Sequence, residues 1–269
     1  MNSRMSLGRC FAVAISGLLP LFLFVFDSAA VAQIAPSPPE TPVSADVNVA
    51  LSRMGKALRA DHFSFDSASL RAYAGPNGEL LHIAHKSTFV VRRPDRLLVD
   101  VTGDDGGAKM YYDGKVLVIY SADRRQYVSI PVPDKLDEML DAAETRLGLD
   151  LPLVDFLSSD PHKSLLEGVT SGAKVGTAII DGIGCQHFFF VQSDLELELW
   201  LEDNDRALPR RLVVTYQALP GRPRFMAELS NWDFSTPHPD QEFAFQPPAG
   251  VVQVELAARK KMSPPPPAR

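Results

Sequence analysis

Six histidines, two cysteines and a small arginine cluster are the side chains whose types and spacing could carry chemistry in this chain. His82 and His85 are three apart in a stretch that alternates like a strand, so they point to opposite faces and cannot grip one ion together. His162 and His238 each adjoin a proline, His62 falls at a helix-to-strand junction, and His187 sits in the apolar run from Cys185 to Val191. No metal-ligand spacing emerges. Gly103-Asp104-Asp105-Gly106-Gly107-Ala108-Lys109 lacks the spacing of a phosphate loop and the Ser/Thr after its lysine, and a strand rather than a helix follows. It reads as a turn. Asp203-Asn204-Asp205 has neither the glycine nor the distant glutamate of a calcium loop. There is no G-x-S-x-G elbow, and among 33 acidic residues a pair of carboxylates carries no information. The expectation is a protein that is not an enzyme, with no catalytic residue, no metal and no cofactor.

Arginine is more informative. Arg92, Arg93 and Arg96 bracket Pro94, and Arg210-Arg211 follow Pro209. One reading is a solvated hairpin end with strand-edge charges. The other places Arg93, pinned by Pro94, at the rim of a cavity, where it hydrogen-bonds the polar head or a carbonyl of an amphipathic ligand.

The elements that must position these residues follow from periodicity. Val47, Leu51, Met54 and Leu58 are spaced as one helical face, with Ser44 as a cap. Strand signals then run through Phe63-Ser64-Phe65, Leu80 to Val91, Leu97 to Val101, Met110 to Tyr112, Val116 to Tyr120 and Tyr127 to Ile130. Turn residues such as Gly75-Pro76-Asn77-Gly78 and Asp113-Gly114 separate them, the pattern of an antiparallel meander. Asp134 caps a helix whose Leu136, Met139, Leu140, Ala143 and Leu147 form one stripe before Gly148. Two short helices start at Pro152 and at Pro161, the latter after Asp160. Strands resume at Gly168: Val175 to Ile180, Gln186 to Val191, Leu195 to Leu201, Leu212 to Tyr216 and Arg224 to Phe234. The expected fold is mainly β (α+β): a curved antiparallel sheet of about ten or eleven strands forming a half-open barrel, its N-terminal helix and helical insertion acting as plug or lid.

Of the first 32 residues 21 are hydrophobic. Arg4 and Arg9 precede an uncharged run from Cys10 to Phe26, and Ala30-Val31-Ala32 offers a small-x-small cleavage site, so residues 1–32 read as a secretory signal peptide. The run falls short of the ~20 residues of a bilayer span. The remaining chain keeps one thiol, Cys185, so a packed core must hold it together without an internal disulfide. A net charge of −6 gives no reason to expect nucleic acid. Proline-rich tails over 33–43 and 259–269 flank one domain over 44–258, with its helical insertion over 134–168.

Phe89-Val90-Val91-Arg92-Arg93-Pro94, followed by Tyr112-Asp113-Gly114-Lys115-Val116-Leu117, resembles the signature of the periplasmic lipoprotein carrier LolA. Phe243-Ala244-Phe245-Gln246-Pro247-Pro248 is similar to the closing segment of that family, and His62-Phe63-Ser64-Phe65 to its opening. Arg93-Pro94-Asp95-Arg96-Leu97, Leu151-Pro152-Leu153, Gly168-Val169-Thr170-Ser171-Gly172 and Leu208-Pro209-Arg210-Arg211-Leu212 resemble a family of bacterial periplasmic proteins of unknown function grouped with the same carrier fold. The resemblance implies a non-enzymatic periplasmic carrier or binding protein whose partners are lipid or lipoprotein acyl chains. Arg93 falls on the arginine that assists handover in the carriers. Lid residues would be Leu136, Met139, Leu140, Leu147, Leu153, Phe156 and Leu157, with Met54 and Leu58 from the first helix. The alternative is an envelope sensor or interaction module that detects lipid and signals to an envelope protein partner.

Overall fold

The computed structural model describes residues 43–75, 79–149 and 151–255. The expected signal peptide, nearly all of the first proline-rich tail and the whole of the second lie outside them. In chain order the elements are α1 (Ala45–Leu58), β1 (His62–Ala74), β2 (Leu80–Arg92), β3 (Arg96–Gly103), β4 (Gly106–Tyr112), β5 (Val116–Ser121) and β6 (Gln126–Pro131). A helical segment follows: α2 (Leu136–Thr145), α3 (Val154–Leu157) and α4 (Pro161–Leu166). The chain then forms β7 (Ser171–Ile180), β8 (Ile183–Val191), β9 (Leu195–Glu202), β10 (Pro209–Tyr216), β11 (Arg224–Asp233), α5 (Asp240–Phe243) and β12 (Val252–Gln253).

Turn chemistry folds these strands back on one another. Asp113 Oδ1 accepts hydrogen bonds from the Lys115 and Val116 N–H groups, both at 3.0 Å, and Gly114 takes a φ of +86°, so β4 returns as β5. Asp181 and Gly182, at φ 49° and 79°, reverse β7 into β8. One sheet results, in the order β12-β6-β5-β4-β3-β2-β1-β11-β10-β9-β8-β7. It is curved but open, not closed into a barrel. Every pairing is antiparallel except that of β12 on β6. That two-residue strand is the twelfth, beyond the ten or eleven expected, and is too short to leave a periodic signal.

The helices cover one face of the sheet. Val47, Leu51, Met54 and Leu58 of α1 and Leu136, Met139, Leu140 and Ala143 of α2 join Phe63, Phe65, Val91, Leu97, Phe188 and Leu229 of the strands in one core. Each large side chain so buried contributes roughly 1.5–3 kcal/mol. Phe65 stacks between Phe89 at 4.6 Å and Trp232 at 4.4 Å, and the Trp232 indole N–H donates to the Pro209 carbonyl at 3.0 Å. Cys185 is buried, and burial pushes its thiol upward. The Tyr112 phenol, donating to the Pro133 carbonyl at 2.7 Å, is pushed by burial to about 12.

The helix caps differ from expectation in three places. Ser44 occupies the cap position of α1, but its hydroxyl makes no cap bond; its N–H donates to Gly172 O at 3.0 Å instead, which ties the helix start to β7. Asp134 does not cap α2. The cap position is Lys135, and the Leu136 N–H donates to the Pro94 carbonyl at 2.9 Å, so the loop after β2 supplies the acceptor. The first of the two short helices begins at Val154 rather than Pro152, because its cap position falls at Leu153. Asp160 does cap α4, accepting from the Lys163 N–H at 3.3 Å with Pro161 in the first turn.

Candidate functional site

Alternation along β1 puts Phe63, Phe65, Ser67, Ser69, Arg71 and Tyr73 on the face toward the helices, and the register sets Phe89, Ser87 and His85 of β2 opposite Phe65, Ser67 and Ser69. The inner face therefore changes character along its length. It is aromatic and closed around Phe65, then small and polar from Ser67 outward. Where side chains shrink from phenylalanine to serine, the helices no longer meet the sheet, and a cavity of about 210 Å³ remains. Phe89, Val99, Val101 and Met110 form its floor; Leu140 of α2 and Leu151 to Val154 with Leu157 form its roof.

The polar groups lie toward one end. Ser67 is 4% exposed, and it borders the cavity together with Ser69 and Ser87. Arg71 donates to the Tyr216 hydroxyl at 3.3 Å, with its guanidinium 5.3 Å from the Tyr73 ring centre and 5.4 Å from that of Tyr216. His85 lies 2.7 Å from Asp105 Oδ1. Its ring fits because residue 103 is glycine: a Cβ there would come within 2.3 Å of His85 Cδ2.

Of the sequence-derived candidates, Leu140, Leu153 and Leu157 line the cavity. Met54, Leu58, Leu136, Met139 and Phe156 are buried in the core and do not line it, and Leu147 is half-buried against that core. Arg93 does not line it either. Its guanidinium donates to three protein carbonyls: Leu58 O at 3.1 Å, where α1 ends, and Leu157 O at 2.9 Å and Ser158 O at 2.6 Å, where α3 ends. Burial lowers its ordinary value, with the Asp137 carboxylate opposing. A cation facing the carbonyl ends of two helices is favourably placed. It holds α1 and α3 together, and α2 starts on the neighbouring Pro94 carbonyl, so the Arg93-Pro94 turn organises the whole roof. Sequence reasoning missed Ser67, Ser69, Arg71, Tyr73, His85 and Ser87. The signal available was the alternation Ser-x-Ser-x-Arg-x-Tyr between two recognised strands.

A larger, shallow groove of about 470 Å³ lies on the opposite face of the same strands, beside Leu70, Lys86, Met226 and Glu228. It has no roof. Among the described residues no cluster of three or more His, Cys, Asp or Glu side chains is placed to hold a metal ion, and no helix is long and apolar enough to cross a membrane.

Residues 48–257 match a family described as predicted periplasmic protein, DUF2092. The chain belongs to this family. The family's compartment is the periplasm, where an export signal would deliver the chain. No curated protein matches it. Among solved structures, an uncharacterized conserved protein from Thermus thermophilus is similar at 10% identity with a TM-score of 0.45, over 77% of this chain and 96% of that one. The lipoprotein LppX of Mycobacterium tuberculosis is similar at 17% identity and 0.43, over 70% and 94%. A LolA superfamily protein from Nitrosomonas europaea is similar at 14% identity and 0.39, over 73% and 98%.

Proposed function

We propose that this protein is a non-enzymatic periplasmic carrier or binding protein for a hydrophobic, acylated ligand, a lipid or a lipoprotein, whose acyl part enters between the sheet and the α2–α3 segment. The observation that carries the reading is the roofed cavity, with an apolar floor from β2–β4 and an apolar roof from Leu140, Leu153 and Leu157. Its size sets the mode of action. About 210 Å³ is below the ~300–1,000 Å³ of sites that enclose drug-sized ligands, so a long acyl chain enters only if the roof moves.

The energetics favour a roof that competes. A chain of ~15 methylenes at ~0.8 kcal/mol each would gain roughly 12 kcal/mol if fully buried, which is close to irreversible. A roof that covers the same apolar surface in the empty state reduces that gain to a difference and permits release. Polar bonds that hold the roof include the three from Arg93, the Leu136 N–H to the Pro94 carbonyl at 2.9 Å, the Ser159 N–H to Asp137 at 2.8 Å, the Ser159 hydroxyl to the same carboxylate, the Ser164 hydroxyl to Asp155 at 2.5 Å and the Arg59–Asp160 ion pair at 2.6 Å.

Native mass spectrometry of protein purified from the periplasm, before and after delipidation, tests the reading. Adducts of acyl-lipid mass that delipidation removes, and uptake of a fluorescent fatty-acid probe afterwards, are expected. Absence of both overturns it.

A further inference from the structure

The sheet has two edges, and the chain treats them differently. At the β6 edge it adds its own β12: the Val252 N–H donates to Arg125 O at 3.1 Å and the Val254 N–H to Tyr127 O at 2.9 Å. At the other edge β7 is the last strand, and among the described residues no strand pairs with its outer side. Such an edge presents a row of backbone donors and acceptors, which proteins ordinarily blunt with charge, proline or shortness. β7 is ten residues long, and its outer half, Gly176-Thr177-Ala178-Ile179-Ile180, has neither charge nor proline. Its β-branched residues suit extended pairing. Ile179 is 78% exposed, with Gly184, which has no side chain, opposite it on β8. Val175, the extra residue where the register shifts between Lys174 and Gly176, is 59% exposed. The chain before α1 does not suit this edge. The Ser44 N–H reaches Gly172 O on β7, and every second N–H of an extended chain faces the same side. Pairing continued outward from Ser44 would therefore present residues 42, 40, 38 and 36, and three of these are proline, which donates nothing.

We propose that β7 pairs antiparallel with β7 of a second copy of this chain, about a two-fold axis at Ala178. Antiparallel pairing of a strand with itself is two-fold by construction, so one surface serves both copies. Charge and sterics select the register. With the axis at Ala178, Thr177 of each copy lies opposite Ile179 of the other, and the two Ile179 side chains share a face as a diagonal pair at ~7–8 Å. Lys174, exposed on β7, then meets the exposed Asp181-Gly182 turn of the partner, so unlike charges adjoin at both ends of the pairing. An axis at Lys174 would set the two lysines opposite one another, and one nearer the strand's start would meet Ser44, which already occupies Gly172 O. A single strand from each copy is far short of the ~20–30 residues a side of a standard interface, so the association is weak and reversible, with a Kd of roughly 10–500 µM. Strands β8 to β11 separate β7 from β1, so the cavity stays accessible in both copies and the inference stands apart from the acyl-binding reading.

Sedimentation velocity of the full chain from micromolar to millimolar concentration, with hydrogen exchange at both ends of that range, tests this. A monomer–dimer equilibrium is expected, with the amides of residues 175–180 exchanging about threefold or more slowly at the high concentration and those of β6 unchanged. Ile179→Lys sets two like charges on the shared face and should weaken dimerisation about tenfold or more, whereas Leu219→Lys, at an exposed position on the β10–β11 turn, should leave it unaltered. Lys174→Glu, which opposes the partner's Asp181, should weaken it about three- to tenfold at low salt, less so at high salt, and serves where Ile179→Lys folds poorly. Neither β7 variant should change uptake of the fatty-acid probe, so this inference and acyl binding fail separately. A monomer throughout the range, protection that appears away from β7, or a dimer that both Ile179→Lys and Lys174→Glu leave at full strength overturns the inference. Weakening in Ile179→Lys with none in Lys174→Glu overturns the register.

Discussion

Filling the cavity from the sheet side distinguishes a binding site from a packing defect. Ser67 and Ser87 face one another across β1 and β2, and both border the cavity, so Ser67→Val combined with Ser87→Leu puts branched apolar side chains into it. A void of about 210 Å³ inside a core forfeits about 5 kcal/mol at ~24 cal/mol per Å³. That is an upper bound, since the outer end beside Tyr73, 43% exposed, is open to solvent. Recovering a third, about 1.7 kcal/mol, raises the melting temperature by roughly 3–7 °C in a domain of this size. Differential scanning fluorimetry and titration with a fluorescent fatty acid, on the same samples, give both readouts. The double variant is expected to melt higher and to take up little or no probe, because space kept at the expense of stability is space kept for a guest. A lower melting temperature with probe uptake intact would refute the reasoning.

Three further outcomes follow from the same geometry. Arg93→Met leaves the Leu58, Leu157 and Ser158 carbonyls without their donor and should lower stability by about 2–4 kcal/mol, with hydrogen exchange accelerating near residues 58 and 157–159 but not in β1–β2; unchanged exchange would show that the guanidinium does not hold the helices. Burial holds the Asp155 carboxyl above the ordinary range despite the Ser164 hydroxyl bond. Its contribution to folding is therefore present below the ordinary carboxyl range and lost as pH rises through the folded value, so Asp155→Asn should melt higher than the wild type at pH 7 and lose that advantage below about pH 4. An equal shift at both pH values contradicts this. Gly103→Ala should cost about 1–3 kcal/mol by driving a Cβ into His85 and the Ala84 carbonyl, whereas at Gly107 the nearest atom is 3.2 Å away and the same change should cost less; thermal melts of the two variants decide it.

The elements that were legible from the sequence are those whose local chemistry fixes them. Asp113-Gly114 and Asp181-Gly182 carry their own turn geometry, and Asp160-Pro161 carries its own helix start. The α2 stripe identified the buried side of that helix, although only Leu140 of it reaches the cavity. Strand β1 was legible only as Phe63-Ser64-Phe65, yet it runs to Ala74. Ser67, Ser69 and Arg71 lack the branched or aromatic side chains that announce a strand, and their small size is what opens the cavity. The missed strand and the missed site have one cause. Arg93 stood out because Pro94 follows it, but its partners are backbone carbonyls 35, 64 and 65 residues away, and a carbonyl has no residue type to read.

The central claim is that an acyl chain lies between the polar strip of β1–β2 and the roof of α2–α3. Photolabelling the intact protein with a fatty acid carrying a diazirine midway along its chain, followed by peptide mapping, tests it directly. Crosslinks confined to the segments around Phe89, Met110, Leu140 and Leu153–Leu157, and competed away by unlabelled fatty acid, are the predicted result. Crosslinks that fall instead on the opposite groove beside Leu70 and Met226, or that unlabelled fatty acid does not suppress, would contradict it.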